Sequence, residues 1–546
     1  MKAVAALLDR LSFEPSRLAK LRLMEDYFRR AADPERGYAL AALTGALSFP
    51  HAKPGLVRGL IAERVDPVLF ALSYDYVGDL SETVALLWPA PDAAPGDAPT
   101  LSDVVHELKL GGRLDLARKL AGWLDALDET GRWTLLKLIT GSLRVGVSAR
   151  LAKTAVAALG GRAPDEVEDI WHGLDPPYLD LFAWLEGRED KPDSHDPAPF
   201  RPAMLAHAIE DRELAALDPA DFCAEWKWDG IRIQAACGAD AAGRRIARLY
   251  SRTGEELSQS FPDLAEAVAR LPFADFSLDG ELLILREGRV EPFGVLQQRL
   301  NRKTISAKLL AQFPAHIRAY DLLSLDGEDI RPLPFAQRRA RLEAFVVASA
   351  SPRLDLSPLV AFVSVGELAQ AREDPAAFGA GADAEAVEGL MLKRRDSIYV
   401  PGRPKGLWFK WKRDPFLVDA VLMYAQRGHG KRSSFYSDFT FGVWARDDEA
   451  RRLTPVGKAY FGFTDAELRQ LDRYVRDNTS NRFGPVREIA HGEARGLVLE
   501  IAFEGLNRSS RHRSGLAMRF PRISRIRWDK PAREADTIEN LEALLK

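Results

Sequence analysis

The run Glu225-Trp226-Lys227-Trp228-Asp229-Gly230 is the stretch from which the fold is read. It lies inside Phe222 to Ala236, rich in aromatic and β-branched residues, and this composition predicts a strand. Alternate side chains of a strand share a face. Glu225, Lys227 and Asp229 are therefore expected on one side, and Trp226 and Trp228, buried, on the other. Gly230 leaves room for another group to approach the backbone. A lysine amine can act as a covalent nucleophile once its pKa, about 10.4 in water, is pulled down by burial or nearby cations. Taken alone, Lys-x-Asp-Gly describes a solvated surface strand equally well, so the rest of the chain has to decide.

The chain has 546 residues, enough for three or four domains with ample core. A composition of 46% hydrophobic and 28% charged residues is that of a globular protein. The net charge of −3 means that any surface for a polyanion is local. Cys223 and Cys237 are the only cysteines, too few for a four-cysteine zinc site. Both flank the lysine motif on strand-like sequence, so buried thiols and a reducing compartment are expected. No apolar run reaches the length of a membrane span, and the short Ala3–Leu8 run reads as part of an amphipathic helix rather than a signal peptide. A cytoplasmic location is expected, with the nucleoid if the source is bacterial.

Residues 1 to about 186 carry a helical pattern, as in Leu18, Leu21, Met24 and Phe28. Thr140 to Ser148 interrupts it, with Gly141 and Gly146 at turns and Ser148 placed to cap the helix from Ala149. Gly187 to Pro202 is a linker by composition, holding Pro192, Pro197, Pro199 and Pro202. Beyond it, strands at Ile246–Ser251 and Phe276–Leu285 alternate with helices such as Asp263–Arg270. After Asp414, short strands at Leu417–Tyr424, Phe439–Trp444 and Leu497–Phe503 suggest a small β-barrel.

Further stretches follow Lys227 in order. They are Tyr250-Ser251-Arg252-Thr253-Gly254-Glu255, Leu278-Asp279-Gly280-Glu281, Ala319-Tyr320-Asp321, Glu388-Gly389-Leu390-Met391-Leu392-Lys393 and Trp408-Phe409-Lys410-Trp411-Lys412. Each taken singly is ordinary strand or surface sequence. Together they form one kit: cations for phosphates, acids for a hard cation such as Mg²⁺, and a ring to stack on a base. A glycine-rich Walker loop is absent, which argues against a P-loop nucleotidase.

The order Lys-x-Asp-Gly, Ser-Arg-x-Gly, Asp-Gly-Glu, Tyr-Asp, Glu-Gly, Lys-x-Lys resembles the covalent nucleotidyltransferases, namely DNA ligases, RNA ligases and mRNA-capping enzymes. Arg519-Phe520-Pro521-Arg522 through Arg527-Trp528-Asp529-Lys530 looks like the last motif of ATP-dependent DNA ligases. Arg201 to Ala206 and Arg144 to Ser148 are also similar to segments of that family. The resemblance implies an all-α DNA-binding domain over 1–190, an α+β adenylation domain over 200–414 and a C-terminal OB-fold β-barrel over 415–546. It implies ATP and Mg²⁺ (or Mn²⁺) as cofactors, nicked double-stranded DNA as partner, and a monomer. Lys227 would be the nucleophile, with Lys410 and Lys412 on the α-phosphate and helping to lower the Lys227 pKa. Glu281 and Glu388 would hold metal and sugar hydroxyls. Tyr320, where the family more usually has Phe, would stack on adenine, and Glu225 would read its edge. Arg232, Arg252 and Arg403 would contact AMP or a phosphate. Arg519, Asp529 and Lys530 would serve the first chemical step only. Between Asn507 and Lys530 stand eight Lys or Arg against one Asp, a local basic excess suited to phosphates. RNA ligases and capping enzymes share the lysine chemistry, but the long helical N-terminal region favours DNA. A non-catalytic clamp of the same fold is disfavoured by the complete set of charged residues.

Overall fold

The computed structural model describes the chain apart from residues 50, 78, 92–95, 111–112, 142, 193–195, 301–304, 429–434, 448–449, 510–511 and 546. Part of the proline-rich linker, 193–195, and Ser142 of the Thr140–Ser148 stretch therefore lie outside the described residues. Residues 1–161, 176–186 and 414–546 form one compact unit, and 162–175 with 187–413 form another. Among the described residues, no helix is long and apolar enough to cross a membrane.

The N-terminal region is helical from Lys2–Phe13 to Leu179–Leu185, as its periodicity predicts. The inward face of helix Arg17–Arg30 differs from the sequence reading. Met24 and Phe28 are buried, but Leu18 is 67% exposed and Lys20 takes the inner position. The Lys20 ammonium donates to the carbonyls of Val145 (2.7 Å) and Gly146 (3.0 Å), which meets the cost of burying it. Gly141 ends helix Glu129–Thr140 in the left-handed conformation, and the Ser148 hydroxyl accepts from the Leu151 amide at 3.2 Å, as expected of a cap.

The second unit is built on two sheets. In one, the strand order is His207–Ala208, Trp408–Lys412, Val387–Arg394, Phe222–Trp228, Leu359–Val360. In the other, Arg245–Ser251, Ile231–Ala239, Phe276–Arg286, Ala315–Leu325 and Glu328–Asp329 run side by side. The single strand read over Phe222–Ala236 is thus two strands in different sheets, broken at Asp229–Gly230. Packing is the reason: a Cβ at Gly230 would lie 2.6 Å from the Leu282 carbonyl oxygen and 2.7 Å from the Glu281 side chain. The chain crosses between sheets at the one residue that permits that approach. Trp226 and Trp228 are buried in a cluster with Leu283, Val387, Leu390 and Phe409, which includes residues of both sheets. Cys223 and Cys237 are buried free thiols.

In the C-terminal region, strands Ala450–Ala459, Tyr436–Asp447, Phe416–Arg427, Val486–Ile489 and Thr479–Phe483 pair in that order, and Val498–Phe503 joins Phe416–Arg427 to Arg522–Arg527. Alternation along them buries Val418, Ala420, Leu422, Phe439, Phe441, Leu499 and Ile501 in one core, closed by Leu468, Leu471 and Val475 of helix Asp465–Asp477.

Candidate active site

Three neighbouring strands place most of the predicted site on one sheet face. In the central strand Val387–Arg394, Gly389 pairs with both Lys227 and Lys412, and Met391 pairs with both Glu225 and Lys410. Residues two apart share a face, so Glu225, Lys227, Lys410 and Lys412 emerge together across two rows. Gly389 has φ +143, and a Cβ there would meet the Trp411 carbonyl oxygen at 2.2 Å. The register slips between Val387 and Gly389, which oppose the adjacent Trp228 and Lys227. Glu388 is the extra residue of this bulge, and a bulge re-aims the side chain it inserts. The Glu388 carboxylate consequently accepts from the Lys227 ammonium at 2.5 Å.

Glu281 approaches the same lysine from the second sheet, where it pairs with Arg232. Burial, reinforced by Glu388, pushes the Glu281 carboxyl up to about 8, although Lys227 opposes the shift. Burial works to lower the Lys227 pKa, but Glu388 and Glu281 outweigh it and hold it above the ordinary lysine value. This reverses the direction expected from Lys410 and Lys412 and favours the ammonium form of Lys227. The cationic neighbours act on Lys410 instead. Burial, then Lys412, Arg403, Lys227 and Arg252, pull its pKa down. That set brings together five of the predicted cations.

Arg232 is tied into a buried network. Its guanidinium donates to the Met204 carbonyl (2.6 Å), the Asp279 carboxylate (2.7 Å) and the Tyr399 hydroxyl (3.3 Å), and lies 6.0 Å from the Tyr320 ring. Glu225 is 1% exposed, with one oxygen accepting from Arg339 at 2.9 Å and the other paired with Lys393 at 2.5 Å. Lys393 in turn donates to the Tyr320 carbonyl at 3.2 Å and stands 4.6 Å from the Tyr320 ring. Lys393 and Arg339 were missed by sequence reasoning. Residues 389, 391 and 393 alternate onto one face, a signal that could have found Lys393. Arg339 lies on helix Phe335–Ser349, more than a hundred positions from Glu225, and nothing local points to it.

Among the described residues, no group of three or more His, Cys, Asp or Glu gathers to hold a metal. Glu281 and Glu388 supply two carboxylates, which suits Mg²⁺, an ion commonly bound by one or two carboxylates plus substrate phosphates.

The C-terminal residues are described within their own unit. Asp529 is bound by Arg527 at 2.9 Å, which brings its carboxyl down to about 2. Lys530 is paired with Asp419 at 2.7 Å, and the Arg519 guanidinium lies 5.4 Å from the Phe520 ring.

The profile of the ATP dependent DNA ligase domain matches residues 203–412, and that of the ATP dependent DNA ligase C terminal region matches 432–530. The chain belongs to the ATP-dependent DNA ligase family. A probable DNA ligase of Opitutus terrae is 33% identical, over 98% of this chain and 61% of that protein. One from Koribacter versatilis is 31% identical, over 100% of this chain and 96% of that protein. The fold is also that of a solved structure named Pmar-Lig_PreS3, with a TM-score of 0.58 at 14% identity over 96% of this chain and 99% of that chain.

Proposed function

We propose that the chain seals nicks in duplex DNA, using ATP, through a lysyl-AMP intermediate on Lys227. The observation that carries this reading is Lys227, paired with Glu388 and beside Glu281, on a sheet face shared with Lys410 and Lys412. In the first step the Lys227 nitrogen forms a bond to the α-phosphorus, and pyrophosphate leaves with the electrons of the broken P–O bond. AMP then passes to the 5′-phosphate of the nick, and the 3′-hydroxyl displaces it.

Lys227 must first lose its proton, and its pairing with Glu388 and the nearby Glu281 both favour keeping it. Mg²⁺ held by these two carboxylates and the ATP phosphates would screen phosphate charge. Were Glu388 to ligate that cation, Lys227 would lose its nearest anion, and the neighbouring Lys410 and Lys412 would favour its neutral form. Lys410 and Lys412 face the α-phosphate, where negative charge concentrates in the transition state. Tyr320 stacks on adenine, Glu225 and the adjoining backbone define its edge, and Arg232 supports the Tyr320 side of the pocket. Arg252 and Arg403 contact phosphates. The organisation proposed is a helical DNA-binding domain over 1–190, an adenylation domain over 200–414 and an OB-fold over 415–546, acting as a cytoplasmic monomer on nicked DNA.

The test is sealing of a 5′-labelled nick with ATP, GTP and NAD compared, alongside intact-mass measurement of the adduct. ATP alone should support sealing, and Lys227→Ala should abolish the AMP adduct while remaining folded. An adduct of unchanged yield in the variant would assign the nucleophile elsewhere.

A further inference from the structure

Trp228 is the last residue of strand Phe222–Trp228, next to Lys227 and just before the chain crosses to the second sheet. Two groups bound to that sheet grip it, and all of them lie in the compact unit that holds 187–413. The Arg318 guanidinium lies 4.4 Å from the centre of the Trp228 ring, and the indole N–H donates to the Ser357 hydroxyl at 2.9 Å. The Ser357 amide in turn donates to the Ala319 carbonyl at 2.8 Å, so both grips go back to neighbouring residues of strand Ala315–Leu325. Arg318 is itself held fast. It is 8% exposed, its Nε and one terminal nitrogen donate to Asp355 at 3.0 and 2.8 Å, and the other terminal nitrogen donates to Asp383 at 2.9 Å. In the ladder Arg318 pairs with Glu281 on one side and with Asp355 on the other. Among the described residues its hydrogen bonds go to the two aspartates, which leaves Glu281 to Lys227. A buried, doubly paired guanidinium is a poor route to stability, because apolar residues of like size commonly do as well or better. What it supplies is a fixed position, a planar fork held by two carboxylates against an indole.

We propose that Arg318 is a positioning residue for Lys227. It fixes the Trp228 end of the strand against the sheet that carries Glu281, and so fixes where the Lys227 amine stands when it attacks phosphorus. This rests on the reading of Lys227 as the nucleophile. Lys227 and Trp228 are consecutive, so a shift of the indole passes directly into the backbone that bears the amine. On its other side the strand is paired with Val387–Arg394, but that register slips at the Glu388 bulge, opposite Trp228 and Lys227. A bulge locally disrupts the ladder, so the hold on this end of the strand comes from the second sheet instead. Arg318 touches no reacting atom and acts only through Trp228. Its loss should therefore slow adduct formation while leaving ATP binding unchanged.

The experiment uses the full chain with ATP and Mg²⁺, comparing Arg318→Met, Trp228→Leu, the double variant and Lys227→Ala with wild type. Single-turnover adduct formation is followed by intact mass, which separates the rate constant from the amplitude, the fraction of chains that react. Arg318→Met should lower the rate constant by at least about tenfold, a modest share of the roughly 100-fold that a displacement of about 1 Å can cost. Its amplitude should stay near that of wild type, and its KM for ATP within about twofold. In the Trp228→Leu background the same change should add less than about twofold, because residues that act through one another are not additive. An unchanged rate constant overturns the proposal, as does full additivity with Trp228→Leu. A reduced amplitude at the wild-type rate makes Arg318 a structural residue and overturns it too. Where Arg318→Met does not fold, Arg318→Met with Asp355→Asn and Asp383→Asn leaves neither carboxylate unpaired and is held to the same outcomes. If Lys227→Ala still forms the adduct, the underlying reading of the nucleophile fails. If Lys227→Ala forms none and Arg318→Met reacts at the wild-type rate, only the role of Arg318 fails.

Discussion

Replacing Gly389 with alanine would test the site geometry more sharply than replacing any charged residue, because it removes no functional group. The added Cβ would lie 2.2 Å from the Trp411 carbonyl oxygen and 2.8 Å from the Lys412 Cα, both backbone atoms of the neighbouring strand. Ordinary non-bonded approach is roughly 3.5 Å, so the strands must separate by about 1 Å. Overpacking of this kind costs about 1–3 kcal/mol, and φ +143 adds about 1–3 kcal/mol of backbone strain for a residue with a Cβ. The expected destabilisation is therefore about 2–6 kcal/mol. The catalytic loss should be larger than stability alone implies. Gly389 sits between Lys227 and Lys412 and terminates the bulge that delivers Glu388, and a displacement of about 1 Å can cost roughly 100-fold in rate. Gly406→Ala is the control. It has φ +78 but open space around it, so only the strain of roughly 1–2 kcal/mol remains. Single-turnover adduct formation by intact mass, with denaturant unfolding of the same samples, reads both effects. If Gly389→Ala forms the adduct as fast as Gly406→Ala, the close approach of the two strands does not set the site.

The Glu281 carboxyl, near 8 in the folded chain against about 4.3 unfolded, keeps its proton longer when folded, so wild-type stability should fall as pH rises from about 4.5 to about 8. Glu281→Gln has no such group and should flatten that slope. Melting at pH 5 and pH 8.5 without nucleotide checks this, and an unchanged slope refutes it. Lys393→Met keeps much of the bulk but leaves Glu225 with Arg339 alone. The loss should sit near the lower end of the roughly 3–5 kcal/mol for breaking a buried pair, with a raised KM for ATP and little change in sealing of a pre-adenylated nick. A pre-adenylated nick sealed as poorly as ATP is used would instead mean that Lys393 serves the whole fold.

The alternation around Lys227 was legible because strand geometry is local. It placed the indoles inside and Lys410 and Lys412 on one face, as found. The helical N-terminal region and most strands were legible for the same reason. What escaped depends on contacts between distant residues. One strand became two because Gly230 packs on Leu282 and Glu281, which no property of residues 222–236 encodes. The sign of the Lys227 shift was missed because it depends on which charges come nearest, and the bulge chose Glu388. The partners of Glu225 and Lys530 are invisible for the same reason: Arg339 and Asp419 each lie more than a hundred positions away.

The crossing at Asp229–Gly230 makes the two carboxylates beside Lys227 separable variables. Glu388 reaches Lys227 from within the same sheet, so ladder hydrogen bonds fix that spacing. Glu281 reaches it from the other sheet, so its spacing is the thickness of the seam between them, and Gly230 acts as the gauge. A bulkier residue at 230 would widen the seam and detach Glu281 while sparing the Glu388 pair. The fold can thus retune the basicity of the Lys227 amine by adjusting one gap, leaving the strand that carries it unaltered.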